Sequence, residues 1–125
     1  MSTGGQALRE LAAEARAGGR GIVALFTGGG AARAAEEVAR ELGREVRRLD
    51  AESLAARDIA ASERAAVAVL EGADAVGAAD LDRLVDRAQA SPGVVILTAG
   101  AQDAFDEAFL RRLRFVLDFA SFPNG

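Results

Sequence analysis

The residues of this chain that could do chemistry fall into four short segments. The first is Thr27-Gly28-Gly29-Gly30, with Arg33 just beyond it. A glycine-rich turn leading into a helix presents backbone N–H groups at the helix's positive end, where an anion such as phosphate can sit. The second segment holds Glu71 and Asp74, carboxylates of the kind that coordinate magnesium or orient water. The third is Thr98-Ala99-Gly100, in which only the Thr98 hydroxyl could sense a phosphate. The fourth is Arg111-Arg112-Leu113-Arg114, able to reach acidic groups or phosphates across an interface.

Each segment also has a plainer reading. The glycine run reads first as a tight turn that packs a helix close to a sheet, with an anion site at Gly28, Gly29, Gly30 and Arg33 as the alternative. The P-loop pattern G-x-x-x-x-G-K-[ST] fails here, because Gly28 is followed by Gly-Gly-Ala-Ala-Arg-Ala. The dinucleotide pattern G-x-G-x-x-G fails as well, with Arg33 in the place of its third glycine. Glu71 and Asp74 make an incomplete metal site, so no metal is expected. Arginines at a helix C-terminus also interact favourably with the helix dipole, whatever else they do.

Composition narrows the chemistry further. All 15 basic residues are arginine, since the chain has no lysine, and it also lacks histidine, cysteine, tryptophan and tyrosine. Without those groups there is no Schiff-base lysine, no imidazole base, no thiol nucleophile and no ordinary zinc site. Carboxylates, arginines and backbone N–H groups remain. The net charge of -4 is spread along the chain and no basic patch stands out, which argues against nucleic acid. Neither a signal peptide nor a membrane-spanning stretch is expected, so the predicted setting is cytoplasmic.

The elements that must position these segments follow from apolar patterning. The sequence predicts a helix over Gln6–Ala17 and a buried strand over Gly21–Phe26. A helix over Ala31–Leu42 follows, with Gly43 as its stop. Glu45–Leu49 alternates like a strand near a sheet edge, and Ala51–Ala66 is helical in composition. Ala66–Leu70 and Val94–Thr98 are continuous apolar runs, as expected of strands covered on both faces. Helices over Asp80–Ala90 and Asp106–Arg112 and a strand over Phe115–Phe119 complete the pattern. Strands alternating with helices predict one α/β domain over residues 1–125, a three-layer sandwich with a mainly parallel five-stranded sheet. Residues 1–20 form its N-terminal helix and lead-in.

Taken in order, the four segments resemble the AAA+ family of ATPases. The similarity is strongest to stand-alone bacterial AAA proteins, including those encoded beside phage-tail-like contractile injection systems. It rests on GIVALFTG (Gly21–Gly28), AAEEVARELGREVRRLD (Ala34–Asp50), ADAV (Ala73–Val76), VVILTAG (Val94–Gly100) and DEAFLRRLRFVLDFASFP (Asp106–Pro123). The last stretch carries the most specific pattern, D-x-A-[FL]-L-R-R-x-R-F. The resemblance implies a P-loop NTPase core lacking the helical lid, and it shows where this chain departs from the family. The Walker A loop is shortened, with Ala31 and Ala32 where lysine and threonine belong. The Walker B acidic pair falls on Glu71-Gly72, the first sensor's polar residue falls on Gly100, and the pore-loop region, Leu54–Glu63, is reduced. Arg111, Arg112 and Arg114 match the arginine-finger region.

A machine that works by positioning and electrostatics loses most of its action with its lysine, its hydroxyl metal ligand and its catalytic carboxylate. The expected function is therefore non-catalytic: a structural or assembly protein acting through protein–protein contacts, with phage-tail-like particles as the setting the resemblance suggests. No cofactor, nucleic acid or membrane partner is expected. The partner would be another protein or a further copy of this chain. Two alternatives stand beside this reading. One is an activator that supplies an arginine finger to an active AAA+ paralogue; the other is a weak nucleotide- or phosphate-binding protein.

Overall fold

A computed structural model of the protein describes residues 3–17, 21–49, 66–90, 93–113 and 115–119. Strand β1 (Ile22–Thr27) leads into helix α2 (Ala31–Leu42), preceded by helix α1 (Thr3–Ala17). Strands β2 (Glu45–Leu49) and β3 (Ala66–Glu71), helix α3 (Ala78–Ala90), strand β4 (Val94–Ala99), helix α4 (Glu107–Arg112) and strand β5 (Phe115–Asp118) follow. Single 3₁₀ turns at Ala73–Ala75 and Gln102–Ala104 precede α3 and α4.

The five strands form one sheet in the order β2-β3-β4-β1-β5. Every pairing is parallel, so the mainly parallel sheet expected from the sequence is parallel throughout. Strand alternation sorts the core into two layers. Ile22, Ala24, Phe26, Val67, Val69, Val94 and Ile96 pack with Leu11 of α1 and the inner face of α2. Val23, Leu25, Ala68, Leu70, Val95 and Leu97 pack with Leu81, Leu84, Val85 and Ala88 of α3 and Phe109 of α4. This two-sided burial is why β1 and β4 read as unbroken apolar runs: all six residues of each are buried.

Alanine sets the spacing on the α2 side. Ala31, Ala34, Ala35 and Ala39 bury the helix face around Val38. Gly43 ends α2 in the left-handed region at φ 68°, where a side chain would be strained. Its N–H donates to the Arg40 carbonyl at 3.1 Å, and that of Arg44 to the Ala39 carbonyl at 2.9 Å, a Schellman closure. The edge strand β2 carries Glu45, Arg47 and Arg48, charges that discourage pairing with another sheet.

Helix α1 starts at Thr3 rather than Gln6, strand ends shift by one residue, and two further boundaries differ from the sequence expectation for a local reason. Helix α3 starts at Ala78 rather than Asp80, because two alanines extend it back to Gly77, whose carbonyl accepts from the Leu81 N–H at 3.0 Å. Asp106 is the N-cap of α4 rather than its first residue. The helix expected over Ala51–Ala66 falls at 51–65 outside the described residues, as does the Leu54–Glu63 region; Ala66 itself begins β3. No helix among the described residues is long and apolar enough to cross a membrane.

Candidate functional site

In an open parallel sheet the ligand crevice lies outside the carboxyl ends of the strands. Here that edge gathers the glycine turn after β1, Glu71 at the end of β3, Thr98 and Ala99 of β4, and Phe119 after β5. Their arrangement begins with Thr27, which is fully buried and donates its hydroxyl to Asp118 Oδ1 at 3.1 Å. The Phe119 N–H donates to the Thr27 carbonyl at 2.7 Å, which draws the end of β5 against the end of β1.

The glycine turn is fastened from both sides. Gly28 has φ 95°, a conformation that favours glycine, and its N–H donates to the Ala99 carbonyl at 3.0 Å. The Gly30 N–H donates to the Phe119 carbonyl at 3.3 Å, and the Ala31 N–H folds back to the Gly28 carbonyl at 3.2 Å. The Phe119 ring meets Phe26 edge-to-face, with centroids 5.2 Å apart. An anion-binding turn needs its N–H groups converging on open space. In this one, three of them already end on carbonyl oxygens.

The carboxylate at the end of β3 is engaged as well. Arg48 of β2 donates Nη1 to Glu71 Oε2 at 2.6 Å and Nη2 to Glu36 Oε2 of α2 at 2.9 Å. The three side chains are about half exposed, so the bridge contributes on the order of 0–1 kcal/mol. Its consequence is electrostatic: a guanidinium sits where a cation would approach Glu71. Asp74, the other expected acid, is exposed on the 3₁₀ turn and joins no carboxylate cluster of metal-binding size among the described residues. Thr98 is buried, in register with Phe26 on one side and Glu71 on the other. Arg33 points from α2 into solvent with no ion pair among the described residues.

The arginine cluster divides. Arg112 packs back onto α3, with Nη1 2.9 Å from Asp82 Oδ1 and Nη2 in a short hydrogen bond to Asp86. The Asp86 hydrogen bond foremost, with Asp82 adding to it, raises the Arg112 pKa further above its ordinary value. Its carbonyl also accepts from Gln89 Nε2 at 3.1 Å. Arg111 instead faces solvent, with Glu107 at 3.8 Å as its loose helical partner among the described residues. Arg114 lies outside the described residues.

The glycine turn and the carboxylate are legible in the sequence, whereas the groups that occupy them are not. Arg48 shares the alternation of Val46, which packs toward α2, so β2 pairing beside β3 would have pointed to it. Phe119 gave no comparable signal, because its role depends on β5 lying beside β1.

No family model and no curated protein sequence matches the chain. Solved structures do match its fold. The Thermotoga maritima RuvB Holliday junction branch migration motor aligns with a TM-score of 0.66 at 14% identity, over 91% of this chain and 44% of its own. Caenorhabditis elegans PCH-2 aligns at 0.67 and 13% identity, over 96% and 43%. A DNA polymerase III gamma subunit-related protein of T. maritima aligns at 0.63 and 12% identity, over 93% and 46%. The fold is that of an AAA+ ATPase large domain. The chain spans less than half the length of these AAA+ structures. In this fold the Gly28–Gly30 turn follows β1, Glu71 ends β3, and Arg111 and Arg112 end α4.

Proposed function

We propose that this chain is a non-catalytic AAA+ domain, a scaffold or assembly protein that acts through protein–protein contacts and has no ATPase cycle. The observation that carries this reading is the closed glycine turn, whose Gly28, Gly30 and Ala31 N–H groups bond to Ala99, Phe119 and Gly28 carbonyls. A magnesium nucleotide fits these residues poorly. A triphosphate would have to displace Phe119 and break the internal bonds of the turn, each worth about 0.5–1.5 kcal/mol net. No lysine is present to repay that cost, and Ala31 and Ala32 supply neither an ammonium nor a hydroxyl. Glu71, the remaining candidate for the metal, is neutralised by Arg48. Calorimetric titration of Mg·ATP into the protein is expected to give heats of dilution only; saturable binding would overturn the reading. Its place in a larger particle, phage-tail-like or other, belongs to the same proposal.

One observation favours a second reading. Arg111 is 78% exposed and, among the described residues, held only by a long contact to Glu107, so it can reach into a neighbouring subunit, whereas Arg112 is committed to α3. As an activator, the chain would lend Arg111 to the nucleotide site of an active AAA+ paralogue. Mixing the two proteins should then raise the paralogue's ATPase rate, by about 10³–10⁵-fold for a complete arginine finger. The Arg111→Ala variant should leave that rate unchanged. No acceleration by the unmodified chain would dismiss this second role.

A further inference from the structure

On the face of the sheet opposite the α2 layer, the 3₁₀ turn at Ala73–Ala75 and the start of α3 face the Gln102–Ala104 turn and α4 across a groove of about 440 Å³. Val76, Leu81, Phe105 and Phe109 supply its apolar lining. Val76 and Phe105 are only partly buried although both pack against the core. Phe105 stacks on Phe109 with centroids 5.7 Å apart, giving a flat aromatic wall. The arrangement is also braced. Arg112 links α4 to Asp82 and Asp86 of α3, bridging the two walls.

The charge around this groove has one sign left over. Among the described residues Arg112 is the single cation of its lining, and two carboxylates of α3 already engage it. Asp74 on one wall and Asp106 on the other are exposed and have no ion-pair partner among the described residues. Asp106 stands at the N-cap of α4 yet makes no side-chain capping bond, leaving its carboxylate turned to solvent. An aromatic-lined groove with free acids on opposite walls complements one kind of protein surface: an apolar side chain flanked by arginine or lysine.

We propose that this groove is a docking site for a partner protein segment that inserts an aliphatic side chain between Val76 and Phe105 while its neighbouring basic residues meet Asp74 and Asp106. The assignment deepens the scaffold reading and rests on it, since it names the surface through which such a scaffold would hold its partner. An acidic segment is repelled by the same rim, and so is the nucleic-acid backbone. A volume of this size also lies within the range of small-molecule pockets, about 300–1,000 Å³. The two rim acids on opposite walls favour a peptide that spans the groove.

The test uses the full chain and fluorescein-labelled peptides in which leucine pairs alternate with arginine pairs, read by fluorescence anisotropy. The leucine–arginine peptide should bind saturably. Versions with alanine for leucine, or glutamate for arginine, should bind about tenfold more weakly, a difference of about 1.4 kcal/mol. Asp74→Asn with Asp106→Asn should weaken the leucine–arginine peptide several-fold. Ala108→Arg, at an exposed helical position in the groove lining, should block it while leaving the thermal melt unchanged. Equal binding of the alanine–arginine peptide would reduce the effect to general charge attraction and overturn the proposal. So would indifference to both variants. Absence of peptide binding by a protein that also ignores Mg·ATP would remove the groove assignment alone, whereas Mg·ATP binding would remove the scaffold reading.

Discussion

Replacing Phe26 by alanine is expected to cost about 3–5 kcal/mol of stability, the range for emptying a large aromatic site in a packed core. Among the described residues Phe26 is the largest side chain with no exposed surface, and it lies on the inner strand β1 between β4 and β5. Neighbouring alanines of α2 cannot grow into the space it leaves, so the cavity persists. Domains of this size are stable by about 5–15 kcal/mol, and an alanine-rich core belongs in the lower part of that range. Thermal unfolding followed by circular dichroism should show a fall in Tm of more than about 10 °C. The loss also reaches the candidate site, because the Phe119 ring loses its edge-to-face partner and its carbonyl is held less firmly over Gly30. Nucleotide affinity should not appear in the variant, since opening the turn supplies no cation.

The second large effect is expected at Leu11. Leu11→Ala should cost about 2–5 kcal/mol, as much as a core strand position, although the residue lies on the first helix. Leu11 is fully buried in the layer formed by α2 and the strands, and α1 packs against both α2 and β5. Arg9→Ala, one turn face away on the exposed side, should change stability by less than about 0.5 kcal/mol. Equilibrium denaturation of the two variants measures the difference. A Leu11→Ala cost below about 1 kcal/mol would make α1 an appendage, and β5 would then lose the cover that keeps Phe115 and Leu117 from water.

Much of this architecture could be read from the residues. Unbroken apolar runs marked β1, β3 and β4 because all three lie between two helical layers, and the charged alternation of β2 marked an edge. Gly43 marked the end of α2 because the helix needs a left-handed residue there. The order of the strands could not be read, since apolar patterning records which face is buried and not which strand lies alongside. That order decides the site. The Gly30 N–H is occupied because β5 lies next to β1, and Glu71 is occupied because β2 lies next to β3. The arginine cluster shows the same limit in miniature. Sequence spacing gave Arg111 and Arg112 the same standing, and only the packing of α4 on α3 turns one inward and leaves the other in solvent.

Three N–H groups of the glycine turn, those of Gly28, Gly30 and Ala31, already end on carbonyl oxygens, and amide resonances report on that turn directly. In hydrogen-exchange and titration measurements by NMR, the Gly28 and Gly30 amides should exchange slowly. Their shifts, and that of Ala31, should stay in place as Mg·ATP is added. Rapid exchange at Gly28 and Gly30, with saturable shifts of these amides on adding Mg·ATP, would show an open phosphate site and contradict the central claim.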